Sequence, residues 1–329
     1  MPSAGSARAR SRRWLVAALG VMLISPAAVS RAQLPGDPVV RLVVGLSAGP
    51  HDTATRWLAE GLKAELGQAV IVENRPGADG SIAARHVATA PPDGRTLLSA
   101  FGSQLVVNPQ LYPSLGFEPQ RDLVPVTLVA RTPIVLVVHP SVPSLMLRDF
   151  VAYTKANPGT VNYGTTTSMF MLAGELLKQR TGADMQNIPF SGGASVLPAI
   201  LSGTVHAAVI PGSVAIPSAR EGRIRALAVL SPARLPQLPD VPTFAEAGVP
   251  DFDVPTWTAV FAPAGTPREV VDRLHAALVR VLGSAPVRER FEANADTIVA
   301  GTPDALAETV RRDAAAIKAL VARLGLAPR

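Results

Sequence analysis

The sequence contains no cysteine, and that single absence removes disulfides, zinc–thiolate sites, iron–sulfur clusters and cysteine nucleophiles together. The fold must therefore be held by its apolar core. Metal-ligand spacing is lacking as well. His51, His86, His139, His206 and His275 are scattered, and no two stand four residues apart as a helical metal site would require. A phosphate-binding loop and a dinucleotide fingerprint are both missing, so no metal and no cofactor is expected. Repeats, low-complexity tracts and long linkers are absent too.

At the N-terminus, Arg8, Arg10, Arg12 and Arg13 precede an apolar run of 11 residues, Trp14 to Ile24. Small residues follow, with Ser30 and Ala32 in signal-peptidase spacing. This order describes a cleaved export signal over residues 1–32. A membrane span would need about 20 apolar residues, so no span is expected once the signal is gone. Ser11-Arg12-Arg13-Trp14-Leu15 also fits a twin-arginine signal, which leaves the Sec and twin-arginine routes both open. The formal charge of +6 arises mostly in this segment. Residues 1–31 hold five of the 31 basic residues and none of the 25 acidic ones, so the remainder sets 26 basic against 25 acidic residues, a net of about +1. A nearly neutral mature chain sets nucleic acid aside as a partner. Residues 33–329 are enough for two domains with a core each.

Beyond Gly36, apolar strands alternate with amphipathic helices, which predicts a mostly parallel sheet with right-handed crossovers. Strands are expected at Val39–Leu46, Ala69–Glu73, Thr96–Ala100, Val205–Ile210, Ile224–Leu230 and Trp257–Phe261. Helices are expected at 52–66 with Asp52 or Thr53 as N-cap, from Ser81 to about Ala90, and over 147–156, 169–180, 267–282 and 303–324. Val126–His139 is a long apolar stretch broken by Arg131-Thr132-Pro133, read as a strand passing from one domain into the other. With a return near residue 255, the first domain is discontinuous: 34–135 plus 255–329, with 136–254 forming the second.

One unit recurs: a strand, a turn of Gly, Ser, Thr and Ala, then a helix. It occurs at Ser47–Asp52, Ala78–Ser81, Thr165–Ser168 and Ser191–Ser195. Helix N-termini carry free N–H groups and about half a positive charge, and such turns line the crevice of an open α/β sheet. Each alone could be a simple N-cap; several aimed at one cleft would bind a carboxylate without arginine. His51-Asp52 is the one adjacent pair that suggests acid–base chemistry, and it defines an alternative reading as an exported hydrolase or isomerase. Side chains adjacent in sequence at a helix start usually diverge, so the main reading has no catalytic residue. Arg75 is expected to pair with an acid, and Trp257 to pack in the core or at a hinge.

Several segments together resemble the substrate-binding receptors of tripartite tricarboxylate transporters, also called Bug proteins. They are Val72-Glu73-Asn74-Arg75-Pro76-Gly77-Ala78, Pro92-Asp93-Gly94-Arg95-Thr96-Leu97-Leu98, Asn108-Pro109 with Leu111-Tyr112, and Lys155-Ala156-Asn157-Pro158-Gly159. Arg225-Ala226-Leu227-Ala228-Val229 belongs with them, and most diagnostic are Leu238-Pro239-Asp240-Val241-Pro242-Thr243-Phe244-Ala245-Glu246-Ala247-Gly248 and Ala262-Pro263-Ala264-Gly265-Thr266-Pro267.

The resemblance implies a type II periplasmic-binding-protein fold of two α/β domains with a ligand cleft between them. It also implies a periplasmic location, a monomer, and integral membrane transporter subunits as partners; a membrane signalling partner is the alternative. Family ligands are di- and tricarboxylates, acidic amino acids and aromatic acids, gripped by one β–α loop from each domain. Carried over, the ligand-binding positions are Ser47, Ala48, Gly49, Pro50 and His51, with Gly102 and Ser103 beside them. In the second domain they are Thr165, Thr166, Thr167 and Ser168, then Ser191, Gly192, Gly193, Ala194 and Ser195, and Ile210 and Pro211 in the turn that runs to Ser213. Departures fall in the same loops. Leu46 and Ala48-Gly49-Pro50-His51 stand where the family has an aromatic residue and Pro-Gly-Gly; Met171 stands near a usual His, and His206 near a usual Asp.

Overall fold

The computed structural model describes residues 39–326; the export signal expected at 1–32 lies outside the described residues. Among the described residues the apolar runs become eleven strands: β1 (Val39–Val44), β2 (Ala69–Asn74), β3 (Thr96–Phe101), β4 (Leu123–Arg131), β5 (Ile134–Val138), β6 (Asn162–Thr165), β7 (Gln186–Pro189), β8 (Ala207–Pro211), β9 (Arg225–Leu230), β10 (Trp257–Pro263) and β11 (Thr297–Gly301). They form two sheets, ordered β11-β4-β10-β3-β1-β2 and β7-β6-β8-β5-β9.

The expectation of mostly parallel sheets is corrected: both are mixed. β1 pairs parallel with β2 and β3, and β6 with β7 and β8. β10, by contrast, runs antiparallel to both β3 and β4, and β5 antiparallel to both β8 and β9. The right-handed crossover rule governs successive strands of one sheet. β5 and β10 each arrive from the other sheet, so no crossover helix dictates their direction. Each sheet therefore repeats one plan, in which a visiting strand lies antiparallel between the third and fourth resident strands.

The stretch read as one strand over 126–139 is two. The chain leaves β4 at Arg131 and enters β5 at Ile134, because Pro133 offers no N–H to continue a ladder. It returns after β9 through residues 231–256. The two connecting segments run side by side: Arg131 pairs with Trp257, and Thr132 N–H donates to Thr256 O at 2.7 Å.

Each sheet buries its apolar faces under helices. Leu58, Leu62 and Leu66 of the helix Pro50–Leu66 pack with Val40 and Leu42 of β1 and with Leu274 and Leu278 of the helix Arg268–Gly283. Val135 and Val137 of β5 pack with Val196 and Ile200 of the helix Gly193–Leu201. The largest buried cluster runs from one sheet to the other, joining Leu98 and Ala100 to Ile134, Tyr163 and Leu172. The strand β11 and the helices Gly212–Arg220 and Ala285–Ala293 add to the elements read from the sequence. Pro217 and Pro286 had obscured the helical periodicity there.

Candidate binding site

Two adjoining hollows open at the carboxyl ends of strands from both sheets, one of about 100 Å³ and one of about 470 Å³. They share Leu46, Ser47, Thr166 and Thr167. Neither lining contains a lysine or an arginine.

On the first-sheet side, β1 is followed by Gly45, which packs so closely that an added Cβ would lie 2.4 Å from Gln104 Nε2. Ser47, Ala48 and Gly49 then lead into the helix Pro50–Leu66. Gly49 is the N-cap and Pro50 stands at the first helical position, where an N–H has no helical partner anyway. This moves the helix start ahead of the expected cap at Asp52 or Thr53. Asp52 lies within the first turn, and its carboxylate accepts from Arg56 Nε at 2.9 Å and Asn74 Nδ2 at 2.8 Å. Burial opposes its charge, but those donors and the Arg56 charge hold its pKa below the usual carboxylate range.

His51 turns the other way. Its Nε2 lies 2.9 Å from Ser99 O, and a carbonyl can only accept, so Nε2 carries the proton. Burial pulls the ring pKa down, against the Ser99 hydrogen bond and the Asp52 charge, which leaves a neutral ring with Nδ1 as a bare, buried acceptor. The Thr55 and Ser99 hydroxyls are 2.8 Å apart, and the His51 ring meets Phe101 edge-on at 5.3 Å. The helix start is thus fastened to β3. His51 and Asp52 diverge to different partners, so this pair forms no acid–base couple.

One motif escaped the sequence reading: Gly45-Leu46-Ser47-Ala48-Gly49 has the Gly-x-Ser-x-Gly spacing of a nucleophile elbow and stands between a strand and a helix. The strained left-handed serine of an elbow is lacking, however. Ser47 is not among the described non-glycine residues with positive φ, and the ring proton of His51 is committed to Ser99 O.

On the second-sheet side, Thr166 and Thr167 lie between β6 and the helix Ser168–Thr181 and face both hollows. Thr165 is buried, its hydroxyl donating to Asn187 Oδ1 at 2.7 Å. Ser168 is already engaged: its N–H donates to Asp79 Oδ2 at 2.9 Å and its hydroxyl to Asn108 Oδ1 at 2.7 Å. Gly192 and Pro211 line the smaller hollow and Ser191 the larger. Gly193 opens the helix Gly193–Leu201. Ala194, Ser195 and Ile210 fall outside both linings. Ser195 Oγ turns back to Gly192 O at 2.9 Å, and Ile210 points into the second-sheet core, as alternation along a strand requires.

Sequence reasoning missed the rest of the wall. Phe101, Met169, Phe170, Trp257 and Phe291 make the smaller hollow chiefly apolar, with Asp296 among them; Ser213, from the expected turn at Ile210 to Ser213, lines it too. Trp257 does pack in the core as expected, 1% exposed, and its Nε1 donates to Asp313 Oδ2 at 2.9 Å. Arg75 pairs with Glu73 as expected. Asp296 Oδ1 is buried without a partner, and burial pushes its carboxyl up to about 7 against a hydrogen bond with Thr132. Burial likewise pushes Asp79 up to about 6, against the hydrogen bond from the Ser168 N–H and the neighbouring polar side chains of Ser168, Ser103 and Asn108. The Ala78–Ser81 turn had been visible as one of the four small-residue turns; the acid inside it was the overlooked signal. Among the described residues no group of three or more histidine or acidic side chains converges to hold a metal ion, and no helix is long and apolar enough to cross a membrane.

Two sheets of matching strand plan, with small-residue turns facing a common hollow, set the frame for comparison with known proteins. Residues 54–326 match the tripartite tricarboxylate transporter family receptor model. The chain belongs to that family. BugT of Bordetella pertussis is 35% identical over 94% of this chain and 98% of its own. A Rhodopseudomonas palustris protein solved with adipate superimposes with a TM-score of 0.84 at 32% identity, covering 88% of this chain and 98% of that one. MatC from Rhodopseudomonas palustris with bound malate gives 0.81 at 32% identity over 86% of this chain and 99% of that one. This family member therefore has the two-domain fold of a periplasmic binding protein.

Proposed function

We propose that this receptor is an exported periplasmic protein that captures a small carboxylate and hands it, unaltered, to integral membrane transporter subunits. The observation that carries this reading is the placement of small-residue turns from both sheets around hollows without a cationic side chain. An anion there is met by helix N-termini, which offer N–H donors and about half a positive charge each. Ser47–His51 at the start of the helix Pro50–Leu66 supplies one side, and Thr166, Thr167 and Gly192 the other. Malate and adipate in the relatives' sites agree with a carboxylate ligand.

In this reading the two sheets, each with its helices, are two bodies: residues 34–135 plus 255–329, and 136–254. They close on the ligand about the paired segments at Thr132 and Thr256. Moving an open-to-closed ratio from 1:99 to 99:1 takes about 5.5 kcal/mol. Charge-assisted hydrogen bonds contribute about 1.5–3 kcal/mol each, so two to four contacts made only in the closed form suffice. The receptor acts as a monomer and catalyses nothing.

A thermal-shift screen against mono-, di- and tricarboxylates and amino acids tests this. A ligand at 100 times its dissociation constant adds about 2.7 kcal/mol, a shift of roughly 2–4 °C for a chain of this size. The expected result is a hit recovered chemically intact after prolonged incubation. Turnover of the hit, abolished in His51→Ala, would replace the receptor with a hydrolase or isomerase.

A further inference from the structure

The second-sheet helix N-terminus that the sequence offered as an anion site already holds a carboxylate, and that carboxylate belongs to the chain. Asp79 sits in the Ala78–Ser81 turn of the first-sheet side at φ 48° and ψ 45°, a left-handed conformation that a residue with a Cβ adopts at a cost. From there Asp79 Oδ2 accepts the N–H of Ser168 at the start of the helix Ser168–Thr181, at 2.9 Å. Three bonds of Asn108 fix the arrangement. Asn108 Nδ2 donates to Asp79 O and to Ser81 Oγ, each at 3.0 Å, while Asn108 Oδ1 accepts from Ser168 Oγ at 2.7 Å. Gln104 Nε2 holds the same turn through Gly80 O at 2.9 Å. A strained residue over-determined by its surroundings is the signature of a feature kept for its position.

The remaining electrostatics point the same way. The carboxylate, imidazole, ammonium or guanidinium side chains that line the hollows are His51, Asp79 and Asp296. Asp79 Oδ1 and Asp296 Oδ1 are buried with no partner. One carboxylate on a ligand can be met by the first-sheet turn at Ser47–His51 together with Gly192. A second one would enter adjoining hollows that each bear one acid, Asp296 in the smaller and Asp79 in the larger, and no cation, with the Ser168 N–H already engaged. The wall that remains for the rest of the ligand is apolar: Phe101, Met169, Phe170, Trp257 and Phe291.

We propose that Asp79 is a built-in carboxylate that fills the second anion position and restricts this receptor to monocarboxylates with an uncharged, apolar body. The inference rests on the carboxylate-receptor reading above and deepens it.

Calorimetric titration of the protein with length-matched pairs, hexanoate against adipate and benzoate against terephthalate, tests it. The monocarboxylate of each pair is expected to bind at least tenfold more tightly. Asp79→Asn, which keeps the shape and tolerates positive φ, should narrow that preference at least tenfold. Asp79→Gly, which also relieves the backbone, should do the same, so misfolding of one variant cannot mask the result. Equal binding of both members of a pair by the wild type, or a preference unchanged in both variants, overturns the inference while leaving the receptor reading intact. Absence of binding by every acid overturns the receptor reading and this inference with it.

Discussion

Asp296 shows how a single side chain can set the pH response of this fold. Its carboxyl is pushed up to about 7 by burial, against about 3.9 for an unperturbed aspartate. A pKa raised in the folded state means that the stabilising contribution is fully present below about pH 4 and is lost as pH rises through 7. Asp296→Asn imitates the protonated form at every pH. The variant is therefore expected to be more stable than the wild type at pH 8, by an amount on the order of a few kcal/mol, and the gap should be smaller at pH 5. Urea denaturation at the two pH values measures it; a gap that does not change with pH would mean that Asp296 titrates normally.

At the scale of elements, glycine and caps decide whether helices can sit where the strands need them. Gly174, in the helix Ser168–Thr181, lies against the ring of Tyr163 on β6, and an added Cβ would stand 2.2 Å from Tyr163 Cε2. Tyr163 is fully buried, so it cannot swing away. Gly174→Ala should cost about 1–3 kcal/mol through overpacking, although alanine is the better helix former. A lower denaturation midpoint is the expected reading; a higher one would show that propensity outweighs the contact. The long helix Pro303–Arg323 starts at Thr302, whose hydroxyl accepts from Ala305 N at 3.2 Å. Thr302→Ala should lose about 1 kcal/mol, and Thr302→Ser should keep most of it; thermal melts of the pair separate the cap from mere side-chain size.

Considered as a whole molecule, the receptor joins its two sheets through paired segments rather than through a single linker. Thr132 N–H donates to Thr256 O at 2.7 Å, and Gly212 N–H donates to Pro133 O at 2.8 Å, so the two connecting segments are tied to each other and to the second sheet. Addition of the ligand found by screening should reduce the radius of gyration measured by small-angle X-ray scattering. An unchanged scattering curve in the presence of a saturating ligand would argue for a preformed, rigid site.

The near-continuous apolar strands, the small-residue turns that follow them and the long terminal helices were legible in the sequence, because each rests on local chemistry: alternation or its absence, N–H supply at a helix start, proline and glycine punctuation. So was the family, because its motifs sit in turns that the scaffold needs. The direction of β5 and β10 was not legible, since pairing direction depends on which sheet a strand joins and not on its own residues. Nor was the choice of site residues complete. Ile210 looked like part of a turn and proved to be core, whereas Phe291 and Asp296, nearly 200 residues beyond the turn at Phe101, help to close the smaller hollow. That wall is made by contacts distant in sequence, and no spacing rule encodes them. Asp79 is the sharpest case. The sequence by itself placed an acid in a small-residue turn; only the tertiary structure brought its carboxylate to the Ser168 N–H of the other sheet, because a helix N-terminus attracts whichever anion the folded chain carries to it.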